Sequence, residues 1–175
     1  MIKITRISDL KDRFENFYPL SKRINELTGS VFLNYGLEIV SLRYFNTYGI
    51  GENTKGNYAS VIWKFIDDIR NDRVPIVYGD GSQKRDFVFV DDVLNALELA
   101  MKSEKNGIYN VGTGKSYSLN DMMKMLTKIT NKDIKAKYIE NSIKNYVVVM
   151  QASTDKAKRE LGFEAKVLQE QGIKK

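Results

Sequence analysis

The sequence contains neither cysteine nor histidine among its 175 residues. The absence of cysteine excludes disulfides and thiolate metal ligands, and the absence of histidine excludes imidazole ligands. A Ser-His-Asp triad or a Cys-His nucleophile cannot be assembled either. Any catalytic chemistry therefore depends on tyrosine, lysine, arginine or carboxylate side chains.

Long apolar runs are also absent. No stretch approaches the roughly 18 apolar residues that a membrane span needs. The opening MIKITRISDLKDRFENF has no apolar segment of the signal-peptide kind. We therefore expect a cytoplasmic protein without membrane contact. A content of 42% hydrophobic and 29% charged residues is typical of one globular domain.

The formal net charge is +6, which suits an anionic ligand such as a nucleotide. Lysine and arginine are spread along the chain without a long basic run, so the charge does not favour nucleic acid as a partner. A solvated basic surface explains the same composition.

Apolar residues recur at three- and four-residue steps from Leu20 to Tyr35, which predicts a helix that ends at Gly36. Further along, β-branched and aromatic runs alternate with helical periodicity. This alternation predicts an α/β fold with at least partly parallel strands. The predicted strands are 37–45, 74–78, 85–90, 107–111 and 134–139, and the further helices lie at about 58–71, after 91, after 118, and at about 153–161.

Two of these helices begin with recognisable polar residues. Asp91 or Asp92 is predicted to cap the helix that follows it, and the spacing of Ser118 and Asp121 is that of a capping box. Four apolar residues of the helix after Asp92 are predicted to face the core. They are Val93, Leu94, Leu97 and Met101.

The segment YPLSK places Tyr18 four residues before Lys22. About one Tyr-x-x-x-Lys is expected by chance in a chain with 10 tyrosines and many lysines, so this pair alone identifies nothing. Pro19 suits a first helical turn but biases Tyr18 away from α geometry. The two side chains therefore need not align as an interior i,i+4 pair does.

Arg85 lies between a glycine turn and an apolar strand in VYGDGSQKRDFVFVDDV. Its planar fork can hold a carboxylate or a diphosphate, and the glycines before it allow a ligand to approach the backbone. The alternative is a structural ion pair with Asp86, Asp91 or Asp92. The residues alone favour the structural pair.

Asn46 directly follows a predicted strand, where α/β sheets commonly gather ligand groups. An Asx turn that leaves the strand is an equally good interpretation. The glycine turn NVGTG at 110–114 lacks the G-x-G-x-x-G spacing, and we interpret it as structural.

Five motifs follow one another from residue 18 to residue 163: YPLSK, LRYFNTYG, VPIVYGDGSQKRDFVFVDDV, IYNVGTG and ASTDKAKRELGF. In this order they resemble the extended short-chain dehydrogenase/reductase family, in particular its NAD-dependent nucleotide-sugar epimerases and dehydratases, with the UDP-glucose 4-epimerases most similar. The resemblance implies a single unit that corresponds to the C-terminal part of a Rossmann-like doubly wound sheet plus a small substrate-binding α/β region. On this view the N-terminal dinucleotide-binding part is absent, 18–50 and 85–112 belong to the sheet, and 51–84 and 113–170 form the substrate-binding region.

The resemblance also implies roles for individual residues. Tyr18 is the general base on a sugar hydroxyl, while Lys22 favours its phenolate form and holds the cofactor ribose. Tyr44 and Phe45 lie near the nicotinamide and the sugar.

The substrate contacts implied by the resemblance come from later motifs. Asn46 and Arg85 bind the substrate diphosphate, and Ile76 and Tyr78 flank the uracil. Where the family usually has an Arg-x-Gly-Asp stretch, this chain has IKNYVVVM, so Lys144 is the substitute phosphate contact.

The resemblance implies NAD as cofactor and a UDP-hexose as ligand, but no G-x-x-G-x-x-G stands in the sequence. Epimerisation at C4 removes a hydride, which only the nicotinamide can accept. Three hypotheses follow: a substrate-binding half whose own activity is in doubt, an epimerase completed by a separate cofactor-binding chain, or a non-enzymatic binding module. The family's usual dimer packs the tyrosine-bearing helix against its partner, so we also expect a homodimer.

Overall fold

The computed structural model of the chain describes residues 17–142 and 146–175. Helices alternate with short strands throughout the described part, and most strand pairs are parallel, so the α/β prediction is confirmed. In chain order the elements are α1 (Phe17–Leu33), β1 (Val40–Tyr44), β2 (Asn46–Tyr48), α2 (Val61–Arg70), β3 (Ile76–Tyr78), β4 (Lys84–Arg85), β5 (Phe87–Phe89), α3 (Val90–Met101), β6 (Gly107–Val111), β7 (Tyr117–Ser118), α4 (Leu119–Thr130), β8 (Lys137–Ile139), β9 (Val149–Met150), α5 (Asp155–Leu161) and α6 (Gln169–Lys174).

Within residues 17–142 and 146–175 the strands form four small sheets. Parallel pairs join β1 to β6, β2 to β5 and β3 to β8, and β4 lies between antiparallel β7 and parallel β9. The chain changes sheets at Phe45, whose backbone N–H donates to the Val111 carbonyl at 2.9 Å. The next N–H, of Asn46, donates to the Asp86 carbonyl at 3.1 Å. The segment from β1 to β2 therefore lies where two parallel sheets meet.

Two hydrophobic cores hold these sheets. The first lies under α2 and α4, whose apolar residues recur at helical spacing. Its fully buried members are Tyr48, Ile62, Phe65, Ile69, Val77, Phe87, Phe89, Leu119, Met122, Met123 and Leu126. The second core joins α3 and α5 to β6 through Ala96, Tyr109, Val111, Ala157, Leu161 and Phe163. No helix among the described residues is both long and apolar enough to cross a membrane.

The predicted inward face of α3 is mostly wrong. Val93 does pack against the second core, but Leu94, Leu97 and Met101 are 59%, 43% and 80% exposed. The side of α3 that carries Ala96 is buried instead. A small side chain lets the helix approach β1 and β6 closely, so packing distance rather than hydrophobicity sets the rotation of this helix.

The predicted aspartate cap of α3 is also wrong. The helix begins at Val90, so Asp91 and Asp92 lie in its first turn, where negative charge still complements the helix dipole. The buried Asp92 carboxylate accepts the backbone N–H groups of Lys166 at 2.9 Å and Val167 at 3.0 Å. It therefore anchors the segment that leads into α6.

Other local signals behave as predicted. Ser118 and Asp121 form a reciprocal capping box at the start of α4. Gly162 has a left-handed backbone with φ of 70° and ends α5. Gly36, also left-handed, closes the turn that follows α1.

Candidate functional site

A cavity of about 540 Å³ lies between α2, β3 and β4, and we call it the α2–β4 cavity. Four of the residues that the sequence predicts as substrate contacts line it: Asn46, Ile76, Tyr78 and Arg85. They come from three different strands, so only the fold brings them together. The volume is in the range of about 300–1,000 Å³ that is usual for small-molecule sites.

Arg85 reaches this cavity without a carboxylate partner. Within the described parts of the chain, no acidic group lies within salt-bridge distance of its guanidinium. Its Nη1 donates to the carbonyls of Lys84 at 2.8 Å and Val148 at 3.3 Å. Its Cζ lies over the Tyr146 ring, 4.9 Å from the ring centroid.

Each aspartate that could have paired with Arg85 has another partner. Asp91 pairs with Lys175 at 2.8 Å, and Asp92 accepts backbone N–H groups near α6. Asp86 points to the glycine turn that follows β6. The structural ion pair that the residues alone favoured for Arg85 is therefore wrong.

Asp86 is fully buried next to Arg85, and its carboxylate supports the backbone beside the cavity. One carboxylate oxygen accepts the Thr113 N–H at 2.8 Å and the Thr113 hydroxyl at 2.7 Å. The other accepts the N–H groups of Gly114 at 2.9 Å and Ala152 at 3.1 Å. The turn 112–114 is thus held as a structural element, which confirms the interpretation of NVGTG.

Asn46 is the first residue of β2, so the Asx-turn interpretation is wrong. Its Nδ2 donates to the Asp86 carbonyl at 3.0 Å and lies 3.7 Å from the Met150 sulfur. A thioether is a weak acceptor. One N–H of Asn46 can therefore be exchanged to a stronger acceptor, such as a phosphate oxygen.

Sequence reasoning missed several cavity residues. Ser60, Lys64 and Asp68 line the cavity from α2 at four-residue steps. This polar stripe, opposite the buried apolar side of α2, was a signal that could have identified them. Tyr146 also lines the cavity, but it lies in a stretch without periodicity, and nothing local marks it.

The charge of the cavity favours an anion. Lys64 and Arg85 contribute two cations. The carboxylate in the lining, Asp68, is already paired with Arg73 at 2.9 Å. The Lys64 ammonium donates to the Asn57 carbonyl at 2.8 Å, and it retains two further N–H donors by its chemistry.

A second, open depression of about 890 Å³ lies between α1 and β1, and we call it the α1–β1 groove. Tyr18, Lys22 and Tyr44 line it. The Lys22 ammonium is 5.3 Å from the centroid of the Tyr18 ring. Tyr18 is helical and Pro19 occupies the first turn, where its missing N–H costs no hydrogen bond. The side-chain alignment that Pro19 put in question is therefore present.

An ion-pair cluster fixes α1 against β1 beside this groove. The Arg43 guanidinium donates to both Glu26 carboxylate oxygens, at 2.5 Å and 2.8 Å, and Arg23 adds a third contact at 3.1 Å. The hydrogen bond from Arg43 is the largest cause that holds the pKa of Glu26 below its ordinary value. The cluster thereby holds the helix that carries Tyr18 in register with the strand that carries Tyr44.

Two further predicted residues are Phe45 and Lys144. Phe45 lines neither the α2–β4 cavity nor the α1–β1 groove. It is half-buried at the change of sheet between them. Lys144 lies outside the described residues.

The α1–β1 groove suits only part of a dinucleotide. A phenol, an ammonium and a second aromatic ring can hold ribose hydroxyls and one face of a flat ring. No residue lining this groove is a glycine, so it offers no glycine turn leading into a helix, the usual binding site of a dinucleotide diphosphate. The residues lining this groove therefore fit the ribose and nicotinamide end of the dinucleotide.

The fold has parallel strands and a Tyr-x-x-x-Lys pair on the helix before β1. A cavity whose charge favours an anion lies beyond the strand ends. These features define a Rossmann-like protein of the epimerase type. A sequence profile of the NAD dependent epimerase/dehydratase family matches residues 5–112. The chain belongs to this family.

Individual relatives agree with this membership. The chain is 32% identical over 160 residues to the UDP-glucuronate 4-epimerase of Thermodesulfobacterium geofontis, and the match covers 90% of this chain and 48% of that protein. The structure of UDP-glucose 4-epimerase with UDP-glucose from Thermotoga maritima superimposes with a TM-score of 0.84 and 35% identity, over 90% of this chain and 50% of that one.

The Helicobacter pylori ADP-L-glycero-D-manno-heptose-6-epimerase superimposes with a TM-score of 0.79 and 31% identity, over 99% of this chain and 54% of that one. The chain thus spans about half the length of these three relatives.

Proposed function

We propose that the chain is the nucleotide-sugar-binding part of an NAD-dependent epimerase and that a UDP-hexose occupies the α2–β4 cavity. One observation carries this proposal. Arg85 is directed to a cavity of suitable volume with no carboxylate among the described residues to neutralise it. A guanidinium in that setting favours a diphosphate, which it can bind with two parallel hydrogen bonds.

The other cavity residues extend this assignment. Arg85 and the exchangeable N–H of Asn46 bind the diphosphate. Lys64 adds a third positive or donor group from α2. Ile76 and Tyr78 are 46% and 56% exposed on β3, so their side chains are available to flank a base.

The chemistry is assigned to the α1–β1 groove. Tyr18 takes the proton of the sugar hydroxyl, and Lys22, whose ammonium lies 5.3 Å from the centroid of the Tyr18 ring, holds the cofactor ribose. Phe45, at the change of sheet, contacts the sugar. Tyr44, in the lining of the α1–β1 groove, contacts the nicotinamide ring. Lys22 and Tyr44 would hold the NAD ribose and nicotinamide, and the cofactor would supply the acceptor for the hydride of the sugar carbon.

Calorimetry with UDP, UDP-glucose, ADP and NAD tests this proposal. We expect binding of a nucleoside diphosphate, little affinity for NAD, and a loss of about tenfold to a hundredfold in UDP affinity for Arg85→Ala, because one charge-assisted hydrogen bond is worth about 1.5–3 kcal/mol. Arg159→Ala is the matched control, since Arg159 is exposed and pairs with Glu160.

Two results would change the conclusion. Tight NAD binding without binding of any nucleoside diphosphate overturns it. A clear preference for ADP over UDP would retain the α2–β4 cavity as the nucleotide site and replace uracil by adenine as its base. ADP is included because one similar structure is that of an ADP-heptose epimerase.

A second candidate is an epimerase that a separate cofactor-binding chain completes. Two surfaces favour it. Within the described residues β1 pairs with β6 alone, which leaves its other edge open. Beside it, α3 exposes Leu94, Leu97 and Met101, although parallel sheets are normally covered by helices on both faces. A strand and helix from a dinucleotide-binding unit would cover both surfaces.

Epimerase activity with NAD and UDP-galactose, with and without a polypeptide that carries a glycine fingerprint, tests this candidate. Activity only in the mixture supports it, and Leu97→Lys should abolish that activity while Leu168→Lys, at another exposed leucine, should not. No complex and no activity in the mixture, together with retained UDP binding, favours the non-enzymatic binding module.

We further propose a homodimer through α1. Ile24 and Val31 are 50% and 53% exposed on one side of this helix, and Tyr35, which follows its end, is 76% exposed. Such an apolar surface favours packing against an identical helix. Light scattering should give twice the mass of the chain for the unaltered protein and the mass of a single chain for Val31→Lys. A monomer at all concentrations contradicts the proposal.

A further inference from the structure

Tyr146 lies in the stretch IKNYVVVM, where the sequence departs from the family's Arg-x-Gly-Asp pattern. Its ring faces the Arg85 guanidinium, with 4.9 Å between Cζ and the ring centroid. Both residues line the α2–β4 cavity. Among the described residues, Tyr146 makes the one cation–π contact of Arg85, and this contact lies in the α2–β4 cavity itself.

The strand pairing explains why the two side chains meet. β9 runs parallel to β4, with Arg85 opposite Met150. The Lys84 N–H donates to the Val148 carbonyl at 2.8 Å, and the same carbonyl accepts Nη1 of Arg85 at 3.3 Å. The segment that leads into β9 is thereby held alongside Arg85.

These contacts restrict the guanidinium without using all of its donors. The cation–π contact with Tyr146 supplies no oxygen acceptor, so it leaves the guanidinium N–H groups available for hydrogen bonds. Nη1 is directed to two backbone carbonyls. The N–H groups of Nε and Nη2 make no hydrogen bond to a described residue, and they are the pair that a bidentate anion uses.

We propose that Tyr146 is a positioning residue that holds the Arg85 fork in the orientation that a diphosphate requires. This inference rests on the proposed function of the α2–β4 cavity and adds a residue to it. An unsupported arginine side chain is flexible and loses rotamer freedom when it binds an anion. The Tyr146 ring restricts that freedom before the ligand arrives, and the affinity for the diphosphate rises accordingly.

The test compares UDP, ADP, inorganic pyrophosphate and uridine by calorimetry in Tyr146→Leu and Tyr146→Phe. We expect Tyr146→Leu to weaken binding of the diphosphates and pyrophosphate by about fivefold to thirtyfold and to leave uridine unchanged. Tyr146→Phe keeps the ring and should retain the affinity. Tyr58→Leu is the control, because Tyr58 is 94% exposed and lies outside the cavity lining.

A second measurement reads the contact without a ligand. In a ¹H–¹⁵N spectrum the Arg85 Nε–H signal, assigned from its loss in Arg85→Lys, should move in Tyr146→Leu and stay in Tyr146→Phe, because the ring current acts on it. An unmoved signal overturns the inference.

The binding results distinguish a failure of the positioning role of Tyr146 from a failure of the proposed function. If the unaltered chain binds UDP or ADP and Tyr146→Leu binds them equally well, the positioning role alone is wrong. An equal loss for uridine and UDP overturns it as well, since it would show that Tyr146 contacts the base. If the unaltered chain binds none of the diphosphates or pyrophosphate, the proposed function is wrong and the inference falls with it.

Discussion

Asp86→Asn is the sharpest test of how the chain supports its ligand cavity. The substitution changes neither the size nor the shape of the side chain, and the position is fully buried. The native carboxylate accepts four hydrogen bonds, two on each oxygen. An amide has one oxygen and one NH₂ group. The NH₂ group is a donor, and in Asp86→Asn it must replace an oxygen that accepts hydrogen bonds from two donors.

The magnitude follows from the better of the two amide orientations. If the NH₂ group replaces the oxygen that faces Gly114 and Ala152, two backbone N–H groups lose their acceptor. If it faces Thr113, one backbone N–H loses its acceptor and the hydroxyl must turn. This second orientation is the better one, and a buried unsatisfied group costs about 1–3 kcal/mol, so we expect a loss of about 1–3 kcal/mol in the free energy of unfolding. This is a large share of the roughly 5–15 kcal/mol of a whole domain.

Urea unfolding followed by circular dichroism measures this loss as a shift of the midpoint at constant slope. Asp133→Asn removes the same charge from an exposed position and should change the free energy by less than about 0.5 kcal/mol. If the two variants are equally stable, the hydrogen bonds to Asp86 do not support the turn 112–114 and the reasoning is refuted.

Three further predictions concern local structure. Ser118→Ala should lower the free energy of unfolding by about 1 kcal/mol through loss of the α4 capping box, as urea unfolding can measure, and no change would contradict the cap. The pKa of Glu26 is held below its ordinary 4.5, chiefly by Arg43. The stabilisation by the Glu26 carboxylate is therefore present above pH 4.5 and is lost as pH falls through the lowered pKa. Glu26→Gln should destabilise the chain at neutral pH and lose this effect in acid, and a destabilisation that grows in acid would refute the predicted sign. Gly81→Ala should lower the melting temperature more than Gly51→Ala. Both glycines have positive φ, but of these two positions only Gly81 is one where an added Cβ collides with a side chain, that of Asn120. Equal losses of melting temperature would show that the collision is relieved.

Local sequence signals predicted the long helices and their ends well. α4 begins at its capping box and α5 ends at Gly162, because both signals depend on contacts within a few residues of the chain. The predicted strand 107–111 coincides with β6, but the other four predicted strands were longer than the observed ones, and the two-residue strands β7 and β9 were missed. A strand that short is defined by its partner and carries no period of its own.

The rotation of α3 shows the limit of hydrophobic periodicity. Leu94 and Leu97 are more apolar than Ala96, yet Ala96 is fully buried and both leucines are exposed. The face that a helix buries depends on how closely its neighbours approach, and the neighbours β1 and α5 come from distant parts of the chain. Sequence spacing contains no information on that distance.

The sequence by itself determined the fold class, the family resemblance and the chemical types of the candidate site residues, because these depend on motifs of contiguous residues. Only the tertiary structure decided how they are used. It separated Asp86 from Arg85 by turning neighbouring side chains to opposite sides of the chain, and it brought Tyr146 from 61 residues away onto the guanidinium. Hydrogen bonds and charges act over a few ångströms, so the role of Arg85 depends on which partners the folded chain brings within that distance.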